Sequence, residues 1–208
     1  MSGAGWFQDG RKGTFHGCDP EWSEPGDEIM GNAFLTGDRL DLRSLEAGDA
    51  DLFAKWSNDE EVKRFFDTPH PSSRDRAEDS IRAMGKDRNV NLGIVIRESD
   101  RLIGWCRLWS FNYVDRNCLY AILIGEKECW GQGYGTEATR LMVGYAFRTL
   151  NMHKVSLYVN APNKGAIRAY EKAGFVREGM KREDKFYDGV YHDTVTMSIL
   201  EREWRNSL

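Results

Sequence analysis

The chain has 208 residues, 40% of them hydrophobic and 30% charged, which suits a globular protein with one domain and a full core. A formal net charge of -4 lacks the basic excess of a duplex nucleic-acid binder. No stretch approaches the roughly 20 apolar residues of a membrane-spanning helix, and the first residues lack the apolar core of a secretory leader.

Residues 1–33 are rich in glycine, are interrupted by Pro20 and Pro25, and read as an extension of unknown role. Trp6, Phe7, Phe15 and Trp22 give it side chains with which to dock. His16 and Cys18 lie close together but have no second ligand pair, so no metal site is expected. Cys106 and Cys118 sit in apolar, strand-like surroundings and Cys129 has no partner spacing. Reduced thiols in a cytoplasmic protein are the expectation.

Residues 34–208 read as one domain. "FLTGDRLDLRSL" predicts a short strand pair turning at Thr36 to Asp38. "DADLFAKWSND" places Ala50, Phe53, Ala54 and Ser57 on one helical face. Asn58 ahead of "DEEVKRFF" is a second helix start, and "SSRDRAEDSIRAMG" a third helix ending near Gly85. Two apolar runs on either side of Glu98 to Arg101 predict an antiparallel hairpin. "NCLYAILIG" predicts a strand buried on both faces.

Next comes "WGQGYG", residues 130–135, and a helix from about Thr136 to Leu150. Its apolar positions Ala138, Leu141, Met142, Tyr145 and Ala146 keep helical spacing. Glycines allow a turn to aim several N–H groups at one point, beside the positive end of that helix. The turn is neither a Walker A loop nor GxGxxG, and on its own it leaves an anion site and a plain bend both open. "HKVSLYV" follows as a strand and "NKGAIRAYEKAG" as a helix from an Asn cap to a Gly stop. Asn163 and Tyr170, seven apart, share a face of that helix. The chain closes on a hairpin turning at Asp188-Gly189. The whole is an α+β domain.

Together these segments resemble the GCN5-related N-acetyltransferase (GNAT) superfamily. "WGQGYG" is similar to its acyl-CoA loop, Arg/Gln-x-x-Gly-x-Gly/Ala, and "NKGAIRAYEKAGF" to its second signature, Asn-x-x-Ala-x-x-x-Tyr-x-x-x-Gly-Phe. "WGQGYGTEA", "YAF", "YEKAGF" and "MSILEREW" point to the branch of ribosomal-protein N-terminal and spermidine N-acetyltransferases. The resemblance covers about Leu35 to Trp204.

It implies a mostly antiparallel twisted sheet of six to seven strands, splayed in the middle and flanked by about four helices. It also implies an acetyltransferase that moves an acetyl group from acetyl-CoA to a primary amine by direct attack, without a metal. Backbone amides of Gln132, Gly133, Tyr134, Gly135 and Thr136 would hold the pyrophosphate. Backbone groups of Ile122, Leu123 and Ile124 would hold the pantetheine arm, Asn163 would touch the cofactor, and Tyr170 would face its sulfur as the catalytic acid. The partner would be a small-molecule amine or a peptide N-terminus, with neither nucleic acid nor membrane involved. Dimers are common among relatives, so a homodimer is compatible.

Two departures from the family pattern stand out. Trp130 replaces Arg or Gln at the loop's first position, and Leu119 stands where many relatives have a glutamate base. Tyr120, Glu126 and Asp115 are candidate relays for the amine proton, with water as the alternative. Asp59, Glu60, Glu61, Asp184 and Asp188 are candidates for drawing a cationic acceptor, and Trp105, Trp109, Phe65 and Phe66 for shaping its pocket. The competing readings are a non-catalytic acyl-CoA-binding module and an ATP-using enzyme. The latter lacks a loop lysine and metal carboxylates.

Overall fold

A computed structural model describes residues 33–66 and 70–206. The extension, except Ala33, and the His16/Cys18 pair lie outside them. Eight strands form one sheet in the order β1-β2-β3-β4-β5-β6-β8-β7. β1 (Ala33–Thr36) and β2 (Leu40–Ser44) form the first hairpin, and this edge pair takes the strand count past the expected six to seven. Helices α1 (Ala50–Asn58), α2 (Glu60–Lys63) and α3 (Arg74–Met84) follow. Ser73 caps α3 by accepting from the Arg76 N–H. For α2 the cap is Asp59, one residue later than Asn58, with its carboxylate accepting from the Glu61 and Val62 N–H groups. Asn58 is instead drawn to the backbone of Ser72.

β3 (Val90–Ile96), β4 (Arg101–Asn112) and β5 (Asn117–Ile124) form an antiparallel meander. α4 (Tyr134–Arg148), β6 (Lys154–Asn160) and α5 (Lys164–Lys172) come next. The long hairpin of β7 (Val176–Tyr187) and β8 (Val190–Leu200), then the short α6 (Glu201–Arg205), complete the chain. Asp188 and Gly189 both take positive φ, 51° and 77°, as a type I′ turn requires.

The break in the sheet lies between β5 and β6. This parallel pair holds only at Asn117–Leu119 against Lys154–Ser156. Beyond it, Tyr120–Ile124 and Leu157–Asn160 diverge, so their facing backbone groups are not spent on each other. The expected burial of β5 on both faces therefore gives way to a strand whose Ile122, Leu123 and Ile124 are half-buried.

Cross-strand partners share a face. One face carries Leu92, Cys106, Leu108, Cys118, Tyr120 and Val155 and packs against α4 and α5 in the main core. The other carries Trp105, Arg107, Trp109, Leu119, Ser156 and Tyr158. A second core of Phe53, Trp56, Val62, Ala77 and Ile81 covers its Trp105 end. Cys106, Cys118 and Cys129 are buried free thiols.

Candidate active site

β5 is followed by Gly125, where an added Cβ would lie 2.2 Å from the Trp56 ring, so only glycine fits there. The loop that follows carries Gly131 at φ 74° and Gly133 at φ 87°, conformations that favour glycine. Gly133 is the N-cap of α4, which starts at Tyr134, two residues before the expected Thr136. The first helical bond runs from the Glu137 N–H to the Gly133 carbonyl at 3.0 Å, and no side chain caps the helix. The N–H groups of Gln132, Gly133, Tyr134, Gly135 and Thr136 consequently have no acceptor among the described residues. Free donors at the positive end of an anchored helix make an anion cradle.

Arg39, which carried no sequence signal, clamps this loop. Its guanidinium donates to the Gln132 carbonyl at 3.1 Å and to Glu137 Oε2 at 3.0 Å, and lies 4.5 Å over the Tyr134 ring. Glu137 Oε1 in return accepts from the Arg39 and Leu40 N–H groups at 2.7 and 3.1 Å. The contact spans 98 residues, which is why local pattern reading missed it. Trp130 also has a structural account. Its indole N–H donates to the Ile124 carbonyl at 2.8 Å and ties the loop to the end of the opened strand.

The second signature meets the first at the gap. Thr136 Oγ1 donates to the Ala169 carbonyl at 3.4 Å, joining the first turn of α4 to the turn of α5 that carries Tyr170. Tyr170 is 6% exposed, edge-on to Tyr120 with centroids 6.4 Å apart and tilted against Phe175 at 5.8 Å. Burial holds its phenol well above the ordinary value, so it keeps its proton throughout the neutral range. Asn163 Oδ1 accepts from the Ala166 N–H at 3.0 Å, which leaves its amide N–H groups to turn toward a ligand.

The candidate proton relays fare differently. Tyr120 shares its hydroxyl with Thr139 Oγ1 at 3.1 Å, and Thr139 donates on to the Gly135 carbonyl at 2.6 Å. Burial, with Cys106 and Tyr170 nearby, raises the Tyr120 pKa well above its usual value, so it is a buttress for the loop and no base. Burial alone would raise the Glu126 pKa, but hydrogen bonds from Lys55, Trp56 and Arg101 reverse this and hold it at about 2. Lys55 Nζ stands 2.8 Å and Trp56 Nε1 2.8 Å from its carboxylate, which is a poor proton acceptor. Asp115 accepts from Asn112 in the β4–β5 turn, at the end of β5 away from the gap.

The candidate acidic attractors are largely spent as well. Lys127 pairs with Asp59 at 2.9 Å and Glu61 at 3.3 Å, and Arg64 pairs with Asp188 at 3.0 Å. Glu60 and Asp184 stay exposed. Trp105 is a core residue between Phe53 and Phe66. Phe65 meets Tyr187 edge-on at 6.2 Å, bringing the end of α2 to the final hairpin.

Residues 39–176 match the family profile described as "Acetyltransferase (GNAT) domain". The chain belongs to the GNAT acetyltransferases. It is thus an acetyl-CoA-dependent N-acetyltransferase of amines. It is 31% identical over 169 residues to a spermidine N(1)-acetyltransferase of Vibrio cholerae, covering 81% of this chain and 96% of that protein. To the putative ribosomal N-acetyltransferase YdaF of Bacillus subtilis it is 30% identical over 175 residues, covering 80% and 94%. The crystal structure of spermidine N-acetyltransferase from Vibrio cholerae in complex with CoA and spermine superposes with a TM-score of 0.74 at 30% identity, covering 82% of this chain and 100% of that one. No group of three or more His, Cys, Asp or Glu side chains suited to a metal occurs among the described residues, and none of their helices is long and apolar enough to cross a membrane.

Proposed function

We propose that the gap between β5 and β6 is the acetyl-transfer site, with acetyl-CoA entering from the face that bears α4 and α5. One observation carries this reading. The strand pair parts just where a five-amide cradle and a buried phenol converge. The N–H groups of Gln132 to Thr136 hold the pyrophosphate, and backbone groups of Ile122 to Ile124 flank the pantetheine. Backbone groups alternate sides along a strand, so the Ile122 and Ile124 groups face the gap while the Leu123 carbonyl lies against Gly104 of β4, and the Ile124 carbonyl already accepts from Trp130. Asn163 turns its amide toward the same arm.

A neutral amine attacks the thioester carbon from the opposite face, and strand N–H groups stabilise the oxyanion without reorganisation. Tyr170 donates its proton to the departing sulfur. Its raised affinity for that proton keeps it in the donor form, and the low pKa of a thiol makes the help useful without being absolute. With Tyr120, Glu126 and Asp115 otherwise engaged, the amine proton leaves through water. The relatives' names make a polyamine and a ribosomal-protein amine the two acceptor classes in view. Three buried, unpaired cysteines support a cytoplasmic setting.

The test is thiol release from acetyl-CoA across an amine panel, with mass detection of the acetylated product. Acceptor-dependent release supports the reading. CoA binding without release for any amine would favour a non-catalytic module.

A further inference from the structure

The acceptor face of the gap carries two cations with no carboxylate partner. Arg107 of β4 stands opposite Ala121 of β5, with its guanidinium 4.2 Å over Trp109 and 5.8 Å over Trp105. Its Nε is buried and has no acceptor. Asp87 is close enough to act on it electrostatically, but its oxygens are taken by Asn89 and Asn91. On the other lip, Lys181 of β7 reaches across to the exposed Tyr158 of β6, its Nζ 4.0 Å from the ring centroid. No ion pair involves Lys181 among the described residues. Glu178, on the same face, is held by Lys154 at 2.6 Å. Meanwhile three of the five acids expected to attract a polycation, Asp59, Glu61 and Asp188, are paired with Lys127 and Arg64.

Resting on the acetyl-transfer reading above, we propose that the acceptor is an amine that also carries a carboxylate, and that Arg107 and Lys181 select it over polyamines. The physical reason is twofold. A half-buried guanidinium with an unmet N–H is completed by a planar carboxylate, which it binds through paired hydrogen bonds. A polyammonium chain would instead bring like charges up to both lips of the gap, where Asp87 is engaged by Asn89 and Asn91 and Glu178 by Lys154. The aromatic rings beneath each cation hold it in place and so lower the ordering cost of binding.

The experiment uses the full chain, acetyl-CoA and three acceptors: γ-aminobutyrate, its uncharged analogue butylamine, and spermidine. The wild type should favour γ-aminobutyrate over both others by about tenfold or more in kcat/KM, the range of one charge-assisted hydrogen bond. Arg107→Met and Lys181→Gln should each erase most of that preference by raising the KM for γ-aminobutyrate, while the KM for acetyl-CoA stays put. Lys181→Glu should tilt the enzyme toward spermidine. Lys181 is exposed, so its variants fold even if Arg107→Met does not. Calorimetric binding of γ-aminobutyrate and spermidine to the protein holding CoA reads the same preference without turnover. Preferential binding of γ-aminobutyrate with a silent thiol assay would sink the catalytic reading and keep the acceptor assignment. Turnover or binding that favours spermidine in the wild type, or a preference unmoved in the Lys181 variants, overturns the assignment.

Discussion

Replacing Glu126 by Gln separates a structural carboxylate from a catalytic one. Glu126 is 3% exposed and receives Lys55, Trp56 and Arg101, which together lower its pKa from 4.5 to about 2 against the opposing pull of burial. A carboxyl depressed in the folded state contributes stability that is fully present above about 4.5 and lost as the pH falls toward 2. The difference corresponds to roughly 3 kcal/mol at neutral pH, of which about 2 kcal/mol is gone by pH 3. The glutamine keeps the Trp56 bond but loses both charge-assisted ones, so the variant should be about 2–3 kcal/mol less stable at pH 7. For a chain of this size that lowers Tm by about 4–12 °C. Urea melts of both proteins at pH 6 and pH 3 should show the wild type losing about 2 kcal/mol more than the variant over that interval. The turnover–pH profile of the variant should keep the wild-type shape, because no proton passes through Glu126. Melts that fall in parallel would refute the electrostatic account, and loss of the acid-side limb of turnover would restore Glu126 as a base.

Tyr170→Phe should fold with an unchanged melt and lose about tenfold or more in kcat, with little change in the KM for acetyl-CoA. Equal turnover at every pH would remove Tyr170 from the reaction. Gly133→Ala forces a Cβ into a φ of 87° and to 3.3 Å from the Arg39 guanidinium. It should cost about 1–2 kcal/mol and raise the KM for acetyl-CoA more than it lowers kcat, as read by thiol release. Thr139→Val leaves the Tyr120 hydroxyl buried without its partner and should cost about 1–3 kcal/mol in a urea melt. Adding Tyr120→Phe should restore much of that loss, since removing both partners leaves nothing unpaired.

Much of the fold was legible because its signals are local. The Asp188-Gly189 turn, the Asn163 cap and the alternation in β6 each depend on residues within a few positions of one another. The glycine turn ahead of a helix and the shared face of Asn163 and Tyr170 were legible for the same reason, while their assignment to a cofactor came from the family resemblance. One local reading failed by a single residue. Asp59 outcompeted Asn58 as a cap because Asn58 was drawn to Ser72, 14 positions on, and no short window contains that residue.

The order of elements, the turn types and the membership of the two signatures follow from the sequence by itself, since backbone preference and hydrophobic period act over one or two turns of chain. Which side chains remain free for chemistry follows only from tertiary contacts. Glu126, Tyr120, Asp59 and Asp188 all look available in the linear text, yet partners brought from distant elements occupy each of them. Arg107 and Lys181, ordinary in sequence, come to one face of the sheet, each over an aromatic ring, only through the strand order. Charge and hydrogen-bonding capacity are settled by whatever lies within a few ångströms, and folding alone decides that.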